Sequence, residues 1–200
     1  MKRPCTWRAL RAALPVLLIL NAGCGGSASP HYYVLAPVGS PAPAGPPATT
    51  SPVTIGVGPV RMPAYVDRPQ IVTRKSSDEI SLAEFDRWGE PLGEGVPRII
   101  AQNLARLLPN DRVALLPWAG VRAPQYQVVV DIARFDGTVG GSAMLEARWR
   151  VIGGDGKAPR EGHFAMSEPA SEPGYGGLVA AMSRGLGSLS REIAGAIGSP

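Results

Sequence analysis

Two cysteines, two histidines and few aromatic residues leave little of the usual raw material for chemistry in this 200-residue chain. Cys5 and Cys24 both lie near the N-terminus. The remaining chain therefore has no disulfide framework and no Cys/His cluster at metal-ligand spacing. His31 and His163 are far apart, and a lone strand histidine is more often a surface residue than a catalyst. No G-x-S-x-G nucleophile elbow occurs. Gly56-Val57-Gly58 is followed by Pro59. It lacks a third glycine and a following helix, which argues against a dinucleotide loop. Neither cofactor nor metal is called for, and no catalytic residue stands out. Charge is also scarce, at 18% of residues, with a net value of +4. Lys2, Arg3, Arg8 and Arg11 carry that surplus, since the first 23 residues hold no acid. The rest has 16 basic and 16 acidic residues. It has no global attraction to phosphate backbones, so nucleic acid is not expected as a partner.

Long apolar runs are missing too. Ala12 to Leu20 spans nine residues, interrupted by Pro15. A membrane-crossing helix needs about 20. A basic start, a short apolar run and a small-residue end form the layout of a secretory signal peptide, here residues 1–23. The string Leu20-Asn21-Ala22-Gly23-Cys24 resembles a bacterial lipobox. Asn21 departs from it, because Leu or Val is usual there. The resemblance implies that Cys24 is acylated and becomes the mature N-terminus. Two or three acyl chains hold a protein on a membrane stably where one does not. Gly25 and Gly26 follow the cysteine in place of Asp, which by resemblance to enterobacterial lipoproteins implies the outer membrane.

What is present reads as one domain over residues 31–200, behind a tether at 24–30. His31 to Leu35 is aromatic and β-branched, so a strand is predicted. Residues 37–52 are Pro-rich and uncharged, and predict an extended loop. Val53–Val60, Gln70–Arg74 and Glu79–Ala83 predict strands, the last two joined as a hairpin by a polar turn. Leu92 to Leu108 has helical periodicity, its regular part starting near Pro97, because proline suits only a first turn. Arg112–Trp118, Tyr126–Phe135, Ala143–Ile152 and Arg160–Met166 predict four more strands, the last three antiparallel. Val128, Val130, Ile132 and Arg134 should share one face of their strand. Asp131 and Asp136 should lie on a solvated face. On the next strand Leu145, Ala147, Trp149 and Val151 should point inward. Tyr175 to Ile197 predicts a second amphipathic helix, whose Gly185, Gly187 and Gly195 would permit close packing on a sheet. The predicted class is α+β, a mixed, largely antiparallel β-sheet packed with two amphipathic helices in a single domain.

Gly58 to Leu92 is the stretch richest in binding chemistry. Pro63 and Pro69 bracket Tyr65-Val66-Asp67-Arg68 and predispose a shaped loop. Glu84 to Trp88 sets two aromatics beside both signs of charge ahead of the helix. Tyr, Trp and Arg dominate binding hot spots. Tyr65, Asp67, Arg68, Arg74 and Trp88 are therefore the candidate partner-binding residues. The competing expectation makes Tyr65, Phe85 and Trp88 core anchors, with Asp67 capping a turn and Arg68 or Arg87 paired to carboxylates.

These residues also carry a family resemblance. Tyr32-Tyr33-Val34-Leu35, Val57-Gly58-Pro59-Val60, Pro63 through Arg74, and Phe85 through Leu92 resemble the PqiC family, auxiliary lipoproteins of ABC-type and MCE lipid transport systems. Asn103-Leu104, Pro117-Trp118, Tyr126, Val130-Asp131, Arg134-Phe135-Asp136 and Trp149 fit as well. The resemblance implies a non-enzymatic, outer-membrane-anchored periplasmic lipoprotein. It would dock a hydrophobic MCE conduit for phospholipids, as a homo-oligomer matching the conduit's symmetry. A structural envelope lipoprotein without cargo, or a secreted hydrolase, are the alternatives.

Overall fold

The computed structural model describes residues 29–38, 53–108, 112–117, 123–154, 156 and 158–198. The leader, Cys24, most of the Pro-rich segment and Trp118 lie outside the described residues. The chain is an α+β domain, with two helices and eight strands among the described residues. Four strands come first: β1 (His31–Tyr33), β2 (Thr54–Arg61), β3 (Gln70–Arg74) and β4 (Ile80–Trp88). Helix α1 (Leu92–Leu107) follows. Then come β5 (Arg112–Leu115), β6 (Tyr126–Gly137), β7 (Ser142–Gly153) and β8 (Arg160–Pro169), closed by α2 (Gly174–Gly198). The order of elements is the predicted one.

The strands divide into two mixed sheets. A small sheet has the order β1-β4-β3, and a larger one the order β5-β2-β6-β7-β8. The long ladders, β6 with β7 and β7 with β8, are antiparallel as expected. β2 runs parallel to both of its neighbours, and β1 runs parallel to β4. On β7 the alternation works as predicted: Leu145, Ala147, Trp149 and Val151 are buried, whereas Arg148 and Arg150 are exposed. Helix α2 lays Leu178, Met182, Leu186, Leu189 and Ile193 into the core. Helix α1 adds Val96, Ile99, Ile100 and Leu104 to the same core.

Several local expectations are corrected. β4 runs past Ala83 to Trp88, because Asp86-Arg87-Trp88 gain a partner strand in His31-Tyr32-Tyr33. The chain leaves β1 after Tyr33, and Leu35 is buried beyond it. There the amides of Ala36 and Val38 donate to Ser183 and Asn103 on the two helices. Helix α1 is regular from Leu92 although Pro97 is its sixth residue. The proline forfeits one bond, to the carbonyl of Gly93, which is exposed and open to water. β5 ends at Leu115, short of the predicted Trp118. Of the helix glycines, Gly185 faces β7 and β8 as expected, Gly187 makes room for Val38, and Gly195 faces open space.

The correction with the largest consequence is on β6. A bulge between Ile132 and Arg134 leaves one residue without a ladder partner. That shift changes which residues point inward. Val128, Val130 and Ile132 are buried, but after the bulge Phe135 takes the inward position and Arg134 does not. Asp136, expected on a solvated face, is fully buried. Asp131, before the bulge, is partly exposed and pairs with Arg61 at 3.3 Å.

Candidate functional site

The five candidate partner-binding residues form two groups. Tyr65 and Arg74 belong to a cluster around Asp136. The Tyr65 hydroxyl donates to Asp136 Oδ2 at 2.9 Å. Arg74 Nη2 and Nε donate to the same oxygen at 2.7 and 2.9 Å. Arg134 Nε donates to Oδ1 at 2.9 Å. The Arg74 guanidinium also lies 5.6 Å from the centre of the Tyr65 ring. Burial pushes the Asp136 carboxyl up, but the bonds from Arg74, Arg134 and Tyr65 outweigh it, and the group titrates below the usual carboxylate range. Tyr65 is shifted up, by burial and by its bond to Asp136. This cluster is satisfied from within. It ties the loop after β2, the small sheet and β6 together. The Asp136 role escaped sequence reasoning, since it lies on the side of β6 opposite Phe135 and is buried only by Tyr65 and Arg74, which come from 62–71 residues upstream.

Asp67, Arg68 and Trp88 form the second group. They line a cleft of about 400 Å³ together with Pro69, Gly89, Glu90 and Pro91. The loop is shaped by its own backbone. Val66 N–H donates to Pro63 O at 3.2 Å, and Arg68 N–H to Val66 O at 2.9 Å. Trp88 N–H donates to Pro69 O at 2.7 Å and locks the loop to the end of β4. Helix α1 has no cap from its own preceding side chain. Asp67 serves instead, accepting the Gly93 N–H at 3.2 Å from a loop 26 residues upstream. Glu90 is paired with Arg98 on the first turns of α1. Trp88 is 6% exposed and belongs to the core, so it forms the floor of the cleft. Arg68 differs from Asp67 and Glu90, which are paired. Its Nε is buried and has no hydrogen-bond partner among the described residues. Such a group costs about 1–3 kcal/mol, more when charged, unless something supplies an acceptor. Arg87, on the same strand as Trp88, shares the condition.

Cys24 lies outside the described residues. His163 is exposed on β8. It lies in a shallow concavity with Asp131, Arg148, Arg150 and Glu161, where both signs of charge mix. Among the described residues, no three of His, Cys, Asp and Glu gather as a metal site.

The model of the ABC-type transport auxiliary lipoprotein component family matches residues 33–194, from β1 through most of α2. The chain belongs to that family. It is a family of transport components, not of enzymes. The fold is shared with a crystal structure of an uncharacterized protein, at a TM-score of 0.71 and 20% identity, covering 86% of this chain and 100% of that one. It is shared too with a DUF330 family protein from Xanthomonas campestris, at a TM-score of 0.64 and 17% identity, covering 84% and 94%. No curated protein matches the sequence. Both crystal structures bear on the fold alone.

Proposed function

We propose that this auxiliary lipoprotein is anchored to the periplasmic face of the outer membrane through acylated Cys24 and docks an MCE-domain conduit there for phospholipid transport. The docking site is the cleft of Asp67, Arg68 and Trp88. One observation supports this reading above others: a buried guanidinium nitrogen without an acceptor, set in a preformed cleft built from the strings that carry the family resemblance. An acidic or carbonyl-bearing segment of the partner would complete Arg68, while the indole of Trp88 and the flanking prolines supply apolar contact. Tyr65 and Arg74 act one step back, by holding the loop on Asp136. Neither ATP hydrolysis nor any other reaction falls to this chain. Several copies assemble to match the symmetry of the conduit.

The test is recovery of the chain from envelope membranes after palmitate labelling. Label at Cys24 and co-purification of an MCE-domain protein support the proposal. An unlabelled Cys24, or an MCE protein that never co-purifies, contradicts it.

A further inference from the structure

In the small sheet β3 is buried on both faces, whereas β1 and β4 leave large apolar residues exposed. Opposed residues in a ladder share a side, and side chains alternate along each strand. Tyr33 stands opposite Trp88, and His31 opposite Asp86. Tyr33 OH donates to Asp86 at 2.8 Å, and His31 Nδ1 lies 3.5 Å from the same carboxylate. Those four residues share the inner side, which is buried at Trp88 and open at its edge, where the His31 side chain is 71% exposed. Tyr32 stands opposite Arg87 on the outer side, Phe85 precedes Arg87 by two on β4, and Val34 follows just after β1, against Gly89. Tyr32 is 64% exposed, Val34 57% and Phe85 37%. Leu82, further along β4, is 44% exposed. Exposed aromatics and aliphatics are thus concentrated on the outside of one small sheet, with Arg87 between them.

The chain's own covalent order says what lies nearest to this face. β1 begins seven residues after Cys24. Seven residues reach at most ~25 Å when fully extended. A domain of this size is roughly 40 Å across. With acyl chains on Cys24, the tether is too short to let β1 turn away to the far side of the domain. Tyrosine, phenylalanine and arginine are the side chains suited to a headgroup layer, with rings at the boundary and guanidinium on phosphates. Among the described residues no helix is long and apolar enough to cross a membrane.

We propose that the outer face of the small sheet, carrying Tyr32, Val34, Phe85 and Arg87, rests on the phospholipid headgroups of the anchoring membrane. The proposal deepens the one above and rests on acylation of Cys24. It sets the domain's orientation: β1 and the end of β4 lie toward the bilayer.

The test uses the acylated mature chain on vesicles of phosphatidylethanolamine and phosphatidylglycerol. With Cys24 acylated, a spin label can be placed at a single new thiol, through Glu84→Cys beside the patch or Glu161→Cys on β8. Collision with a water-soluble nickel complex reads exposure. At position 84 it should be at least threefold lower than at 161. Adding Tyr32→Ser and Phe85→Ser should bring position 84 up to the level of 161. Equal exposure at both positions on a chain whose Cys24 is acylated by mass spectrometry overturns the face assignment and leaves the anchor intact. An unmodified Cys24 overturns both. Protection at 84 that persists without vesicles and grows with protein concentration assigns the patch to a second copy and overturns the membrane contact.

Discussion

Two arginine-rich corners of this domain treat their charge in opposite ways. Around Asp136 two guanidinium groups and a phenol converge on one buried carboxylate, and both of its oxygens are engaged. At the cleft, Arg68 holds a buried Nε with no acceptor, and Arg87 does the same nearby. The two corners are joined by one loop, since Tyr65 belongs to the first and Arg68 to the second. A satisfied buried network stabilises a fold and offers a partner nothing. An unsatisfied donor in a cleft costs stability and offers a partner a defined contact. The fold-holding and the partner-seeking chemistry thus sit three residues apart.

That contrast is open to attack at several points. The largest effect is expected at Asp136. Asp136→Ala leaves two partly exposed guanidinium groups and the Tyr65 hydroxyl beside a void without their acceptor, and should cost about 3 kcal/mol in urea unfolding. A loss under 1 kcal/mol would mean that the cluster does not hold the fold. Next is a packing test outside both corners. Gly162 lies opposite Trp149, and a Cβ there would sit 2.5 Å from the indole ring. Gly162→Ala should cost about 1–3 kcal/mol, because the ring must shift and strain its 2.7 Å bond to Glu192.

The third test is pH. The folded Asp136 carboxyl titrates below its unfolded value near 3.9. Its stabilisation is therefore present at neutral pH and above about 4, and is lost as pH falls through the folded value. Wild type should lose more stability below pH 4 than Asp136→Asn. Tyr65 works in the other direction. Its folded hydroxyl titrates above about 10, so its contribution is complete below that pH and fades as pH rises through the folded value. Tyr65→Phe should flatten that alkaline limb. The smallest stability effect is expected at the cleft. Arg68→Met removes an unsatisfied donor and keeps an apolar stem, so stability should stay within about 0.5 kcal/mol or rise.

Much of the fold is legible in the sequence. The order of strands and helices, the inward phase of β7 and the stripes of both helices follow from apolar spacing, a local signal. The partition into two sheets does not, because β1 and β4 meet across more than 50 residues and nothing local marks a parallel pairing. The bulge at Ile132 escapes for a related reason. A one-residue insertion into a ladder leaves composition and spacing unchanged, yet it turns Phe135 inward in place of Arg134, and Asp136, on the opposite side, is buried by Tyr65 and Arg74 from another part of the chain. The same miss separated the candidate residues incorrectly into one group. Tyr65 and Arg74 read as partner contacts because their acceptor was assigned to solvent. The grouping of Asp67, Arg68 and Trp88 apart from the other two follows only from the tertiary contacts, in which Trp88 N–H bonds to Pro69 O and closes the loop onto β4.

The central claim is that the cleft serves a partner and the Asp136 cluster serves the fold. It is tested most directly by the affinity of the acylated Arg68→Met chain for the MCE-domain protein, measured beside its unfolding curve. The account predicts wild-type stability with affinity at least tenfold weaker. Unchanged affinity in that folded variant would contradict it.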